Sequence, residues 1–259
     1  MESTHVRTVR SERLARGRLA RIVLDAGKGN VIGSAQIAEL RQATAALAGE
    51  HELCGLLLEH AGPHFSFGAS VQDHLPGAVE HMVPALHALA RELLALDVPI
   101  LCAARGACLG GGLEVALLAD RLVVAPDARL GQPEIRLGLF APIASALLPR
   151  RIGPAAAADL LLSGRSLAAG EALALGLARE VADDPAAAIL AWAEEHLVRH
   201  SAAALRLATR AARRPWREGF LADLEALEAL YLGPLMRTRD AHEGLAAFLG
   251  KRAPCWEDR

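Results

Sequence analysis

Short apolar runs alternate with stretches of helical spacing over the first two thirds of the chain. Val6, Val9, Leu14, Leu19, Ile22 and Leu24 lie in β-like runs around Arg16-Gly17, which reads as a strand pair. An arginine-rich transit segment is the alternative for this start, but Glu2 and Glu12 interrupt it. SAQIAELRQATAALAG then carries apolar residues at helical spacing, with Ser34 as N-cap and Gly49 as stop. CGLLLEHAG, VPILCAARG and RLVVAPD read as buried strands, because continuous apolar runs bounded by turn residues need both faces covered. Helices are expected from about Pro84 to Leu96 and over GLEVALLAD. Strand, turn and helix recur without an exact period, which is the pattern of an α/β fold. From about Pro185 to Phe248 strand signals stop and Ala, Leu, Arg and Glu dominate. We therefore divide the chain into a core over 1–195 and a helical region over 196–259.

Composition narrows the class. A chain of 259 residues with 53% hydrophobic side chains can build a full core without staples. Aromatics make up only 3%, so that core must come from Ala, Leu, Val and Ile. A formal charge of −2 argues against broad capture of nucleic acid or an anionic membrane surface. Six arginines between Arg199 and Arg217 suggest an RNA patch, but Glu218, Asp223, Glu225 and Glu228 follow them, and a solvated helix face is the simpler reading. No apolar run approaches the ~18 residues of a membrane span. Four scattered cysteines form neither a CxxC pair nor a zinc spacing, which points to a reducing, cytoplasmic setting.

Several motifs fail on inspection. Gly27, Gly29 and Gly33 give GxGxxxG rather than GxGxxG, with no well-placed acidic residue about 20 positions on. His60 and His64 straddle Gly62-Pro63, and neither they nor His196 and His200 carry the HExxH carboxylate, so no metal site is expected. Ser70 sits in GAS, not in GxSxG. Ser70, Gln72 and His74 read as solvated loop residues.

ARGACLGGGLEVALLADRLVVAPDARLGQPEIRLGL is different. Gly110-Gly111-Gly112 separates a strand from a helix beginning near Leu113, so first-turn N–H groups face a site that no Cβ blocks. Such donors suit a developing negative charge. Glu114 lies on that first turn, and Glu134 follows Gln132-Pro133 twenty residues on. Two carboxylates near one anion hole can divide acid and base work. An ordinary helix start with favourable glutamates fits the spacing equally well.

The same segment strongly resembles the crotonase (enoyl-CoA hydratase/isomerase) family. The likeness continues through PRRIGPAAAADLLLSGRSLAAGEALALGLAREV to EGLAAFLGKRAPCW and covers nearly the whole chain. It implies a crotonase-like spiral of ββα units, a C-terminal helical trimerisation region, and acyl-CoA thioester substrates. No cofactor is implied beyond the CoA of the substrate. The partner implied is a second copy, as homotrimer or as hexamer (a dimer of trimers), with no nucleic acid and no membrane.

By this resemblance the N–H groups of Ala69, in HFSFGAS, and of Gly111 form an oxyanion hole. Glu114 orients and deprotonates water, and Glu134 delivers a proton to carbon. Lys28 and Asn30 match the stretch lining the CoA channel. Phe67, Gly68, Ser70, Gly110, Pro133 and Phe140 border the substrate, and Phe248 and Lys251 reach the CoA, often from a neighbouring subunit. Three departures stand out: Ser70 replaces the family's usual Asp, Phe67 a small residue, and Leu139-Phe140-Ala141-Pro142-Ile143-Ala144 a proline and a run of glycines. HFSFGASVQDHLP and LGLFAPIAS are instead similar to the branch of the family that hydrates cyclohexa-1,5-diene-1-carbonyl-CoA in anaerobic benzoyl-CoA breakdown. A general short-chain enoyl-CoA hydratase shares every catalytic residue. An isomerase-like relative needs one glutamate, and a non-catalytic RNA- or partner-binding module needs neither.

Overall fold

A computed structural model of the chain describes residues 8–259. The expected first strand pair is present as β1 (Val9–Leu14) and β2 (Leu19–Leu24), antiparallel and in register from Val9↔Leu24 to Leu14↔Leu19. Val6 and Glu2 lie outside the described residues. Beside this pair, β3 (Gly55–His60), β4 (Ile100–Ala104), β6 (Arg121–Val124) and β9 (Glu180–Val181) add parallel strands in the order β1-β2-β3-β4-β6-β9. All five residues of β4 are buried, as a parallel strand covered on both faces requires.

A second sheet of three short strands, β5 (Ala107–Leu109), β7 (Arg129–Gly131) and β8 (Ser166–Ala168), branches from the ends of the first. Strands of three residues leave no periodicity to read, and none of the three was expected. β5 is parallel to β7, and β8 is antiparallel to β7.

α1 (Ser34–Ala45) begins as expected, but Ser34 is its first helical residue and not its cap. The Asp73 carboxylate does the capping from another loop, accepting from Ser34 N at 2.7 Å and Ser34 Oγ at 2.9 Å. α2 (Val79–Ala95) starts five residues before Pro84, because Val79, Met82 and Val83 extend its buried face and a proline this near the first turn removes only one helical bond. α3 (Gly111–Ala116) starts two residues earlier than Leu113. Of the helices that follow, α4 (Pro142–Ile152) packs on α3, α5 (Pro154–Ser163) packs on α4, and α6 (Ala169–Ala174) packs on β7 and β8 of the small sheet.

The last third is helical as expected: α7 (Pro185–His196), α8 (Ala202–Leu232) and α9 (Arg239–Leu249). α7 packs Ile189 and Ala193 on the large sheet against Leu57, Leu101 and Val123. Phe220, Leu224 and Tyr231 of α8 belong to the same continuous core as α2 and α4, so the helical region is built into the body of the fold. The arginines correct the reading as a solvated face. Arg213 is 1% exposed and holds Asp120 through Nε at 3.1 Å and a terminal nitrogen at 2.6 Å. Arg210 and Arg217 both reach Asp97, and Arg206 reaches the Leu96 carbonyl. Only Arg199 and Arg214 of the series point freely outward. Among the described residues no helix is long and apolar enough to cross a membrane, no group of side chains could hold a metal ion, and all four cysteines are free.

Candidate active site

The junction between the two sheets creates the site. A loop after β3 lies alongside the residues after β1-β2, with Ile32 N donating to Gly68 O and Ser70 N donating to Ile32 O. Alternate residues of an extended segment face opposite ways, so this pairing turns Ala69 N–H to the other side. There it meets Gly111, where an added Cβ would stand only 3.2 Å from Ala69 N. Gly111 opens α3, where a helix leaves its first N–H groups unused. Neither N–H has a hydrogen-bond partner among the described residues. Two converging, unsatisfied donors are the geometry that holds an oxyanion.

Glu114, one turn into α3, is 4% exposed, and its Oε1 accepts from Ala144 N at 3.1 Å. Burial raises its pKa to about 7 against the pull of that bond. Glu134 sits in a single 3-10 turn, Pro133–Leu137, that follows β7. Gln132, 1% exposed, sets its side-chain amide against the Glu134 carboxylate, and with the amide assigned so that its nitrogen faces the carboxylate it donates to the two Glu134 oxygens at 3.0 and 3.1 Å. Burial first and the Glu114 charge second raise Glu134 to about 8. Glu134 is the less buried of the two and borders the open cavity, so its shift is the more dependent on how much water the site holds. Gly110 makes the approach possible: at φ +50°, a Cβ would stand 2.6 Å from Glu134 Oε1.

Two cavities meet at these groups. The outer one, about 360 Å³, runs past Phe67, Gly68, Gly110, Pro133 and Phe248, with Arg136 and Arg252 among its lining residues. The inner one, about 20 Å³, holds one water-sized molecule and touches Ala69, Gly111, Glu114, Glu134, Phe140 and Pro142. The Phe140-Ala141-Pro142 stretch forms its wall and leads directly into α4, whose Ala144 N–H holds Glu114. Phe140 is backed edge-on by Tyr231, with ring centroids 5.2 Å apart. The Tyr231 hydroxyl is buried without a partner, and burial together with the two carboxylates pushes its pKa up.

Ala69, Gly111, Glu114, Glu134, Phe67, Gly68, Gly110, Pro133, Phe140 and Phe248 thus come together. Phe248 lines the cavity of its own chain, because α9 folds back over it. Asn30 corrects its expectation as a channel side chain. It is fully buried, its Oδ1 accepting from Ala26 N and its Nδ2 donating to Ala61 O and His64 O, so it shapes the loop from inside. Ser70 faces Asp73 N and Gln72 and lines neither cavity. Lys28 and Lys251 are exposed and stand off both. His74, expected in solvent, lines both cavities, its Nδ1 donating to Ser70 O at 2.7 Å. Gln132, His87 and Tyr231 went unnoticed: no motif marks them, although Gln132 immediately precedes Pro133-Glu134.

Comparison with known proteins agrees with this geometry. The enoyl-CoA hydratase/isomerase family model matches residues 15–259. A cyclohexa-1,5-dienecarbonyl-CoA hydratase of Thauera aromatica is 52% identical over 247 residues, 94% of each chain. A probable enoyl-CoA hydratase of Mycobacterium bovis is 33% identical over 234 residues, 89% of this chain and 90% of its own. Among solved structures, an enoyl-CoA hydratase/isomerase from Pseudoalteromonas atlantica superposes with a TM-score of 0.87 at 26% identity, covering 96% of this chain and 100% of that one. With a matching family model over residues 15–259 and paired glutamates beside two free N–H groups, the chain belongs to the enoyl-CoA hydratase/isomerase family.

Proposed function

We propose that this chain hydrates a cyclic conjugated dienoyl-CoA thioester, converting cyclohexa-1,5-diene-1-carbonyl-CoA to 6-hydroxycyclohex-1-ene-1-carbonyl-CoA in anaerobic benzoyl-CoA breakdown. The observation that carries the ring specificity is the wall Phe140-Ala141-Pro142 standing at the inner cavity beside both glutamates. In that place flexible glycines would admit a linear chain. The 52% identity with a hydratase of this kind supports the same substrate.

Ionised Glu114 takes a proton from water as the water oxygen bonds to the ring carbon β to the thioester. The thioester oxygen becomes a dienolate held by Ala69 N–H and Gly111 N–H. Mutagenesis of comparable donors elsewhere puts one at about 3–4 kcal/mol. The dienolate charge extends to the far end of the diene, where protonated Glu134 delivers its proton. Burial raises both carboxyls and the charge of one opposes ionisation of the other, which supports a pair that works with one member ionised and the other protonated.

Arg136 has no ion-pair partner among the described residues and stands in the outer cavity, placed for the phosphates of CoA. Beyond the CoA of its substrate the reaction needs no cofactor. We further assign the protein to the cytoplasm as a homotrimer or a hexamer. Support for association is the outer face of α8, where Leu207 is 63% exposed beside Arg210, Arg214 and Leu221.

Hydration of cyclohexa-1,5-diene-1-carbonyl-CoA and of crotonyl-CoA by the purified protein, followed by chromatography of the products, tests the reading. Fast turnover of the diene with little on crotonyl-CoA is expected. The reverse preference would replace the ring reading with a general enoyl-CoA hydratase, which the shared catalytic set also accommodates.

A further inference from the structure

α2 and α8 meet at a pair of side chains that the glutamate chemistry leaves unused. His87, midway along α2, is 1% exposed, and its Nδ1 lies 2.6 Å from Glu228 Oε2 on α8. A carboxylate oxygen only accepts, so Nδ1 carries the hydrogen and the neutral ring keeps a lone pair on Nε2. Burial lowers the His87 pKa in spite of Glu228, which keeps the ring neutral near pH 7. No hydrogen bond reaches Nε2 among the described residues. His87 also lines the inner cavity, with Glu114 and Glu134.

An imidazole fixed in one tautomer by a carboxylate, with its other nitrogen unpartnered at a catalytic cavity, is an acceptor waiting for a donor. Hydration supplies one. A water molecule has two O–H groups, and Glu114 takes the proton of one. Glu134 enters the reaction already protonated, so it is the poorer acceptor for the second. That second O–H never leaves the oxygen: it is on the water beforehand and on the new hydroxyl afterwards. In a cavity with room for one water it needs an acceptor throughout, since a buried unpaired donor is costly.

We propose that His87, fixed by Glu228, contacts the oxygen being added, its Nε2 accepting a hydrogen bond from the reacting water and then from the product hydroxyl. No proton moves to or from His87 in the reaction. The new C–O bond, the proton on Glu114 and the proton from Glu134 complete the balance. The inference rests on hydration alone and not on the ring, so it is tested on whichever thioester the enzyme hydrates.

Two variants separate contact from packing. His87→Asn keeps a donor near the Nδ1 position for Glu228 and has nothing at Nε2. His87→Gln places an amide oxygen near the Nε2 position. The proposal expects His87→Asn to lose roughly 10- to 100-fold in kcat/KM, and His87→Gln to recover much of that loss. It also expects His87→Asn to weaken inhibition by the hydroxyacyl-CoA product about tenfold while leaving inhibition by the matching acyl-CoA without the hydroxyl unchanged. Equal weakening of both inhibitors, or full activity in a folded His87→Asn, overturns it. Should neither variant fold, nitrogen NMR of 15N-histidine-labelled parent protein decides. A lone-pair imidazole nitrogen that shifts on adding the hydroxylated ligand, and not the deoxy one, supports the contact, and no such shift refutes it.

Discussion

Glu114→Gln should make the protein slower and, above neutral pH, more stable. An ordinary glutamate titrates near 4.5, whereas burial holds Glu114 at about 7. Between these values the folded chain keeps a proton that the unfolded chain has released, so stability falls as pH rises through that window. The full cost, reached above pH 7, is (7 − 4.5) × 1.36, or about 3 kcal/mol, as an upper figure. Glutamine carries no charge and still offers an oxygen to Ala144 N–H, the bond that Glu114 Oε1 makes at 3.1 Å. Its extra amide hydrogens add an offset, but one that does not vary with pH. The readout is therefore the pH dependence of the difference between variant and parent. Calorimetry of the ligand-free proteins at one fixed concentration should show the variant gaining roughly 5–10 °C relative to the parent between pH 4.5 and pH 8.5. Removing the Glu114 charge also relieves Glu134, which adds in the same direction. Turnover should fall by about 10²–10⁴. A stability difference that stays flat across this range would mean that the carboxylate is not desolvated. Turnover within about tenfold of the parent would remove its role as base.

Three further outcomes follow from the same geometry. The pH–rate profile should be a narrow bell: activity falls below about 7 as Glu114 protonates and above about 8 as Glu134 ionises, both limbs belonging to the coupled pair, and Glu134→Gln should abolish the upper limb. Gly110→Ala should cost at least 10² in kcat, because its Cβ displaces the Glu134 carboxylate from a backbone already at φ +50°, and a variant with parental kcat would refute the placement. Arg213→Ala should lower unfolding free energy by about 3 kcal/mol in denaturant titrations by leaving Asp120 without its cation, at the low end of the range because Asp120 keeps Ile100 N–H; a change below about 1 kcal/mol would make this pair a surface contact in effect.

What could be read from the sequence follows the range over which each signal acts. β3 and β4 announced themselves because a parallel strand buried on both faces is a run of apolar residues, visible within six positions. Gly110-Gly111-Gly112 and Gln132-Pro133-Glu134 carry backbone requirements in their own residue types, and the site formed around them. β5, β7 and β8 have three residues each, and what makes them strands is the pairing of β7 with β5 and with β8 across 22 to 39 positions. Ser34 looked like a cap because its type suits one, yet the capping oxygen is that of Asp73, 39 positions away. The arginines of α8 looked solvated because their partners, Asp97 and Asp120, lie about a hundred residues earlier.

The same reasoning explains why the polar groups around the acyl cavity were the hardest to see. Glu114 and Glu134 sit on turns whose glycines and proline mark them. His87 and Tyr231 sit inside long helices, where a lone histidine or tyrosine between leucines reads as core. Only the packing of α8 on α2, 141 positions apart, sets His87 against Glu228 at the edge of the cavity and leaves its Nε2 without a partner among the described residues. That packing would be better served by an apolar pair, since a buried carboxylate–imidazole contact gives little net stability. Its presence beside a cavity with room for one water puts an unused hydrogen-bond acceptor next to both glutamates, whereas the unpartnered Tyr231 hydroxyl stays behind Phe140 and lines neither cavity. A site that binds only the thioester would need the two N–H groups and an apolar wall. The additional acceptor has a use only if an O–H has to be held there, which is the role proposed for His87 beyond its contact between α2 and α8.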